Sequence, residues 1–187
     1  MPAPAMSYSV WLKPPPDSAF GRTLHALIHE HAAALPGCPP FAPHVTLLGG
    51  FTAASDVRAQ RRRVPRRVRA DDAMPRAAQE AALSATRSLA ERVARLSPRP
   101  ACRVARAEAG RLFYQCVYLR CEDDESLTAA HMLARDAFGA AGSAGPNFMP
   151  HASVIYGDLD DAAKAARTQQ ARAAHCVVCC AHRRCTP

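Results

Sequence analysis

"FAPHVTLLGGF", residues Phe41 to Phe51, and "FMPHASVIYGDL", residues Phe148 to Leu159, share one grammar. In each, a proline precedes a histidine, a hydroxyl residue follows two positions later, two apolar residues come next, and a glycine (Gly49 or Gly157) follows. In an extended strand residues i and i+2 share a face. His44 is therefore expected to project with Thr46, and His151 with Ser153, while Val45, Leu47, Ala152 and Val154 turn toward a core. Pro43 and Pro150 fix the approach to each strand by locking their own φ. One such triplet arises readily by chance in a chain with eight histidines. Two in matching surroundings point to a polar site built from both strands.

Working outward, Tyr8, Val10 and Leu12 alternate with Ser7, Ser9 and Trp11, the period of a half-buried strand. Phe20, Leu24, Ile28, His31 and Leu35 recur at helical spacing, with Asp17 or Ser18 as N-cap and Pro36-Gly37 as the stop. A second helix is expected over 76–96, with Ala82, Ala85, Leu89, Val93 and Leu96 on one face. "CRVARAE" and "RLFYQCVYLRCE" read as two hairpin strands around Gly110. Leu127, Ala130, Ala134 and Phe138 mark a third helix stopped by Gly139 and Gly142, and "DDAAKAARTQQARAA" a fourth. Strand, helix, strand thus occurs twice, each half delivering one histidine strand. This predicts an α+β fold with pseudo-twofold character.

The chain of 187 residues carries a formal net charge of +8, and six of those charges come from Arg61, Arg62, Arg63, Arg66, Arg67 and Arg69. This block sits in an aperiodic insertion at about 53–75, where a solvated loop is the ordinary explanation and weak RNA contact or nuclear import the functional one. No apolar run approaches the length of a membrane span, and the first residues lack a charged segment followed by an apolar one, so a soluble, cytoplasmic protein is expected. Cys38, Cys102, Cys116 and Cys121 are scattered, and Cys116 and Cys121 are expected as reduced core residues. Residues 1–174 are read as one domain and 175–187 as an atypical tail crowded with cysteine. The tail's CxxC lacks a second ligand pair, and His25 and His29 lack a third ligand, so no metal is assigned to either.

Two imidazoles in opposite protonation states suit displacement at phosphorus, one taking a proton from water and the other giving one to the leaving oxygen. Hydroxyls beside them would hold the non-bridging oxygens. Together "YSVWLKPPP", "FAPHVTLLGGF", "GRLFYQCVYLRCE" and "FMPHASVIYGDL" resemble the 2H phosphoesterase superfamily, in its plant and fungal cyclic phosphodiesterase branch. The resemblance implies a bilobal α+β fold, with two pseudo-symmetric antiparallel-sheet lobes and flanking helices around a central groove. A monomer without cofactor or metal is also expected. The implied reaction opens nucleoside 2',3'-cyclic phosphates to 2'-phosphates and ADP-ribose 1'',2''-cyclic phosphate to its 1''-phosphate, in the metabolism of tRNA-splicing by-products. It makes His44 the acid and His151 the base, puts Thr46 and Ser153 on the phosphate, and has Tyr156 line the substrate groove. The rival expectations are a 2'-5' RNA ligase-like or RNA-end phosphodiesterase, and a catalytically impaired form that only binds cyclic phosphates.

Overall fold

The computed structural model describes residues 8–51, 76–138 and 148–181. The arginine block at 61–69, the glycines at 139 and 142, and the chain beyond 181 lie outside the described residues.

Five strands, β1 (Tyr8–Leu12), β2 (Val45–Phe51), β3 (Val104–Ala109), β4 (Val117–Cys121) and β5 (His151–Ile155), hydrogen-bond in the order β1-β2-β5-β4-β3. Among the described residues four helices accompany them: α1 (Ala19–Ala34), α2 (Arg76–Ala94), α3 (Glu125–Phe138) and α4 (Asp161–Ala181). The α+β class and the antiparallel pairing agree with the sequence reading. The described strands form one sheet, so two pseudo-symmetric sheet lobes are not shown.

The helices begin where short polar side chains can occupy their unpaired N–H groups. Ser18 caps α1, its Oγ accepting from the Gly21 N–H at 3.0 Å. Asp124 Oδ1 accepts from the backbone of Ser126 and Leu127 at the start of α3, and Asp160 Oδ1 from Ala163 at the start of α4. Helix α4 continues past residue 174, where the sequence puts the start of the tail, because no glycine or proline interrupts 175–181.

The chain divides into two compact units. The first holds most of β1 and β2 together with α2 and α3, which pack on each other and bury Leu89, Leu127, Ala130, Ala134 and Phe138. The second holds α1, β3, β4, β5 and α4. Its core is β4 and β5, where Val117, Leu119, Ala152, Val154 and Ile155 are all buried. Helix α1 packs on β5 and α4, and α4 packs on β3 and β4. Leu24, Leu27 and Ile28 supply the buried face of α1. Leu27 falls outside the narrower stripe read from the sequence, because a core-facing helix buries a band rather than a single row.

The β3–β4 hairpin differs from expectation in two ways. Residues Phe113–Gln115 form a 3-10 turn, so β4 starts only at Val117. Gly110 permits this turn: a Cβ there would lie 2.2 Å from the Gln115 carbonyl oxygen, which no other residue could tolerate. In addition, Cys121 is joined to Cys102 in a disulfide rather than being a reduced core residue. The hairpin register is the cause. Val104 pairs with Cys121 and the Glu122 N–H donates to the Arg103 carbonyl, which brings the two cysteine Cα atoms to 5.9 Å, a normal spacing for a bridge. Cys116 and Cys38 stay free and buried.

Candidate active site

The second unit brings His44, His151, Ser153 and Tyr156 together, whereas Thr46, half-buried, belongs to the first. His44 stands immediately before β2 and His151 opens β5. Val45 pairs antiparallel with Ala152, which sets the chain at His44 alongside that at Ser153.

The two histidines are held in the same way. His44 Nδ1 lies 2.6 Å from the Ala42 carbonyl oxygen, and His151 Nδ1 lies 2.9 Å from that of Met149. Each acceptor belongs to the residue before the proline of its own stretch, Pro43 or Pro150, and the residue before a proline is kept extended. A carbonyl can only accept, so Nδ1 must carry hydrogen in both rings. That leaves Nε2 of each ring as the atom that gains or loses a proton.

His44 Nε2 is 3.1 Å from the Tyr156 hydroxyl, which donates to it while the imidazole is neutral. Tyr156 is fixed by stacking on Phe41, with ring centroids 3.8 Å apart and planes 12° from parallel, and by the edge of Tyr114 at 5.1 Å. Ser153, buried, donates through Oγ to the Tyr114 carbonyl at 2.8 Å. To serve a phosphate oxygen its hydroxyl would have to turn from that carbonyl.

On the other side, Gln115 Nε2 lies 3.4 Å from His151 Nε2, and the Tyr118 ring meets the His151 ring edge-on at 5.2 Å. The Tyr118 hydroxyl donates to Glu108 at 2.7 Å. Burial and this bond push the tyrosine up to about 12, while the same bond holds Glu108 below its ordinary value. Tyr118 therefore stays protonated, with its ring against that of His151.

Burial lowers the pKa of His44; the Ala42 carbonyl partly opposes this, and the nearby charges of His151 and Lys13 lower it further. Burial also lowers that of His151, against the pull of the Met149 carbonyl. Burial raises the Tyr156 hydroxyl. Among the described residues no group of three or more His, Cys, Asp or Glu is placed to hold a metal ion.

Sequence reasoning missed Gln115, Tyr118 and Phe41 as neighbours of the histidines. Gln115 and Tyr118 arrive through the 3-10 turn and the hairpin register, for which no motif exists. The carbonyls of Ala42 and Met149 did leave a signal, the repeated x-Pro-His order.

Residues 6–179 match a family described as cyclic phosphodiesterase-like protein. The chain is also 31% identical over 163 residues to a 2',3'-cyclic-nucleotide 3'-phosphodiesterase of Eremothecium gossypii, covering 82% of this chain and 67% of that protein. The match spans both histidine stretches and the elements that hold them, and the chain is therefore a member of the cyclic phosphodiesterase-like family within the 2H phosphoesterases.

Proposed function

We propose that the protein hydrolyses cyclic phosphodiesters with His44 and His151 as its acid and base, taking nucleoside 2',3'-cyclic phosphates to 2'-phosphates. The observation that carries this reading is the shared tether: both rings give Nδ1–H to a carbonyl two residues upstream and so keep Nε2 for proton transfer. His151 Nε2 takes a proton from water as the water oxygen bonds to phosphorus. The bond from phosphorus to the 3' oxygen breaks, and that oxygen takes a proton from His44 Nε2. Hydroxyls of Ser153 and Thr46 would donate to the non-bridging oxygens as charge builds there. The ring of Tyr156, buttressed by Phe41, borders the space on the His44 side. ADP-ribose 1'',2''-cyclic phosphate offers the same strained phosphodiester and fits the same chemistry.

Nothing in these steps needs a metal, so turnover is expected to survive EDTA. The check is incubation of purified protein with adenosine 2',3'-cyclic phosphate, with and without chelator, followed by phosphorus NMR. Adenosine 2'-phosphate should form at equal rates in both. Loss of turnover on chelation with recovery on adding zinc, or formation of the 3'-phosphate, would contradict the reading.

The lowered histidines set the pH dependence. His151 must be neutral, so the rate falls in acid as it gains a proton; His44 must be charged, so the rate falls in alkali as it loses one. In the free protein both titrate below the ordinary histidine value, and a bound phosphate anion favours the charged rings and raises both. Both limbs of kcat/KM are therefore expected at lower pH than the matching limbs of kcat. Limbs of kcat/KM lying above those of kcat would show that burial does not govern the two rings.

A further inference from the structure

The 3-10 turn Phe113–Gln115 is fastened residue by residue to β5 and the chain just beyond it. The Phe113 carbonyl accepts from the Gly157 N–H at 3.0 Å, and the Tyr114 carbonyl accepts from Ser153 Oγ at 2.8 Å. The Gln115 side chain completes the series, its Nε2 lying 3.4 Å from His151 Nε2. The turn is also closed on itself: the Gln115 N–H donates to the Leu112 carbonyl at 2.9 Å, and the Gly110 N–H to the Cys116 carbonyl at 3.1 Å. "GRLFYQC", residues 110–116, thus mounts one carboxamide firmly beside the atom that takes the proton from water.

His151 carries hydrogen on Nδ1, so its neutral ring offers a lone pair at Nε2, and the amide end that faces it is the NH2. At 3.4 Å this contact is long for a hydrogen bond, and little is lost when it is exchanged for a better acceptor. As His151 gains its proton, Nε2 becomes a donor and no longer accepts from Gln115. The amide is released just as negative charge builds on the phosphoryl oxygens beside it. Ser153, by contrast, is engaged with the Tyr114 carbonyl. An uncharged donor also suits the place, because burial already lowers the pKa of His151 and a cation there would oppose proton uptake further.

We propose that Gln115 is a further catalytic residue of this site, its carboxamide NH2 donating to a non-bridging oxygen of the phosphoryl group as the attacking water gives its proton to His151 Nε2. The inference rests on the hydrolytic reading above and adds an oxyanion donor to it. In the ground state the amide still faces the neutral imidazole, so the effect of Gln115 falls on kcat rather than on KM.

The test sets Gln115→Ala beside Gln115→Glu with adenosine 2',3'-cyclic phosphate. Alanine removes the donor, and kcat should fall by about 10²-fold, the usual loss of one oxyanion donor, with KM within about threefold of the parent. Glutamate keeps the shape, but its carboxylate cannot donate and repels the phosphate, so its loss should be at least as large. A Gln115→Glu variant with wild-type kcat would mean that the side chain accepts from the water instead, and would overturn the assignment. A second arm follows by calorimetry the binding of an adenosine–vanadate complex, which mimics five-coordinate phosphorus, and of adenosine 2'-phosphate. Gln115→Ala should weaken the vanadate complex by about 10²-fold and the 2'-phosphate by about threefold or less. That difference supports the assignment even if the wild type hydrolyses no cyclic phosphate, in which case only the hydrolytic reading fails. Wild-type kcat in Gln115→Ala, or equal weakening of both ligands, would overturn the role of Gln115 and leave the hydrolytic reading standing.

Discussion

Replacing either His44 or His151 with alanine lowers kcat by about 10²- to 10⁴-fold in our account, the usual loss when a general acid or base is removed. The fold should survive both changes, for different reasons. His151 is only partly buried, and its ring bonds are local: one to the carbonyl two residues upstream and one long contact to Gln115. His44 is buried and also holds Tyr156. Its removal leaves a cavity, but Tyr156 keeps its stacking on Phe41, and circular dichroism should show a folded chain. Turnover near wild-type in either variant would remove that residue from the mechanism.

The second large effect concerns stability. His31 lies in α1 at 1% exposure, and neither of its ring nitrogens has a hydrogen-bond partner among the described residues. Burying polar atoms without partners costs about 1–3 kcal/mol. His31→Leu keeps much of the volume and removes both atoms, so the variant should be more stable by about that amount, or roughly 2–4 °C in melting temperature per kcal/mol. Burial, and after it the charge of Arg167, lowers the pKa of His31, with Glu30 opposing. A lowered histidine binds fewer protons folded than unfolded. Stability is therefore complete above the unfolded value and is lost as pH falls through it toward the folded one. The advantage of His31→Leu should grow in that acidic window. An unchanged or lower melting temperature at neutral pH would show that the imidazole is satisfied in solution.

His31 also shows where sequence reading stops. Its place on the buried face of α1 follows from the spacing of Leu24 and Ile28, yet nothing in that spacing says whether its nitrogens find partners. The same holds at the site. His44, His151 and Ser153 were legible because strand periodicity and the repeated x-Pro-His order are local properties of the chain, whereas Tyr156 came only from the family resemblance. Gln115 and Tyr118 reach His151 only through the register of β3, β4 and β5 and the 3-10 turn that Gly110 permits. The bridge between Cys102 and Cys121 depends on that register too, with a separation of 19 residues that no spacing rule selects. The α+β class followed from element order, whereas the joining of the five described strands into one sheet depends on the pairing of Val45 with Ala152, which no single element encodes.

The central claim is that the two histidines act in opposite protonation states, and the pH–rate profiles of their single alanine variants test it most directly. His151→Ala should lose the acid limb of the kcat profile and keep the alkaline one, and His44→Ala should do the reverse. Residual activity that keeps both limbs in either variant would contradict the paired acid–base assignment.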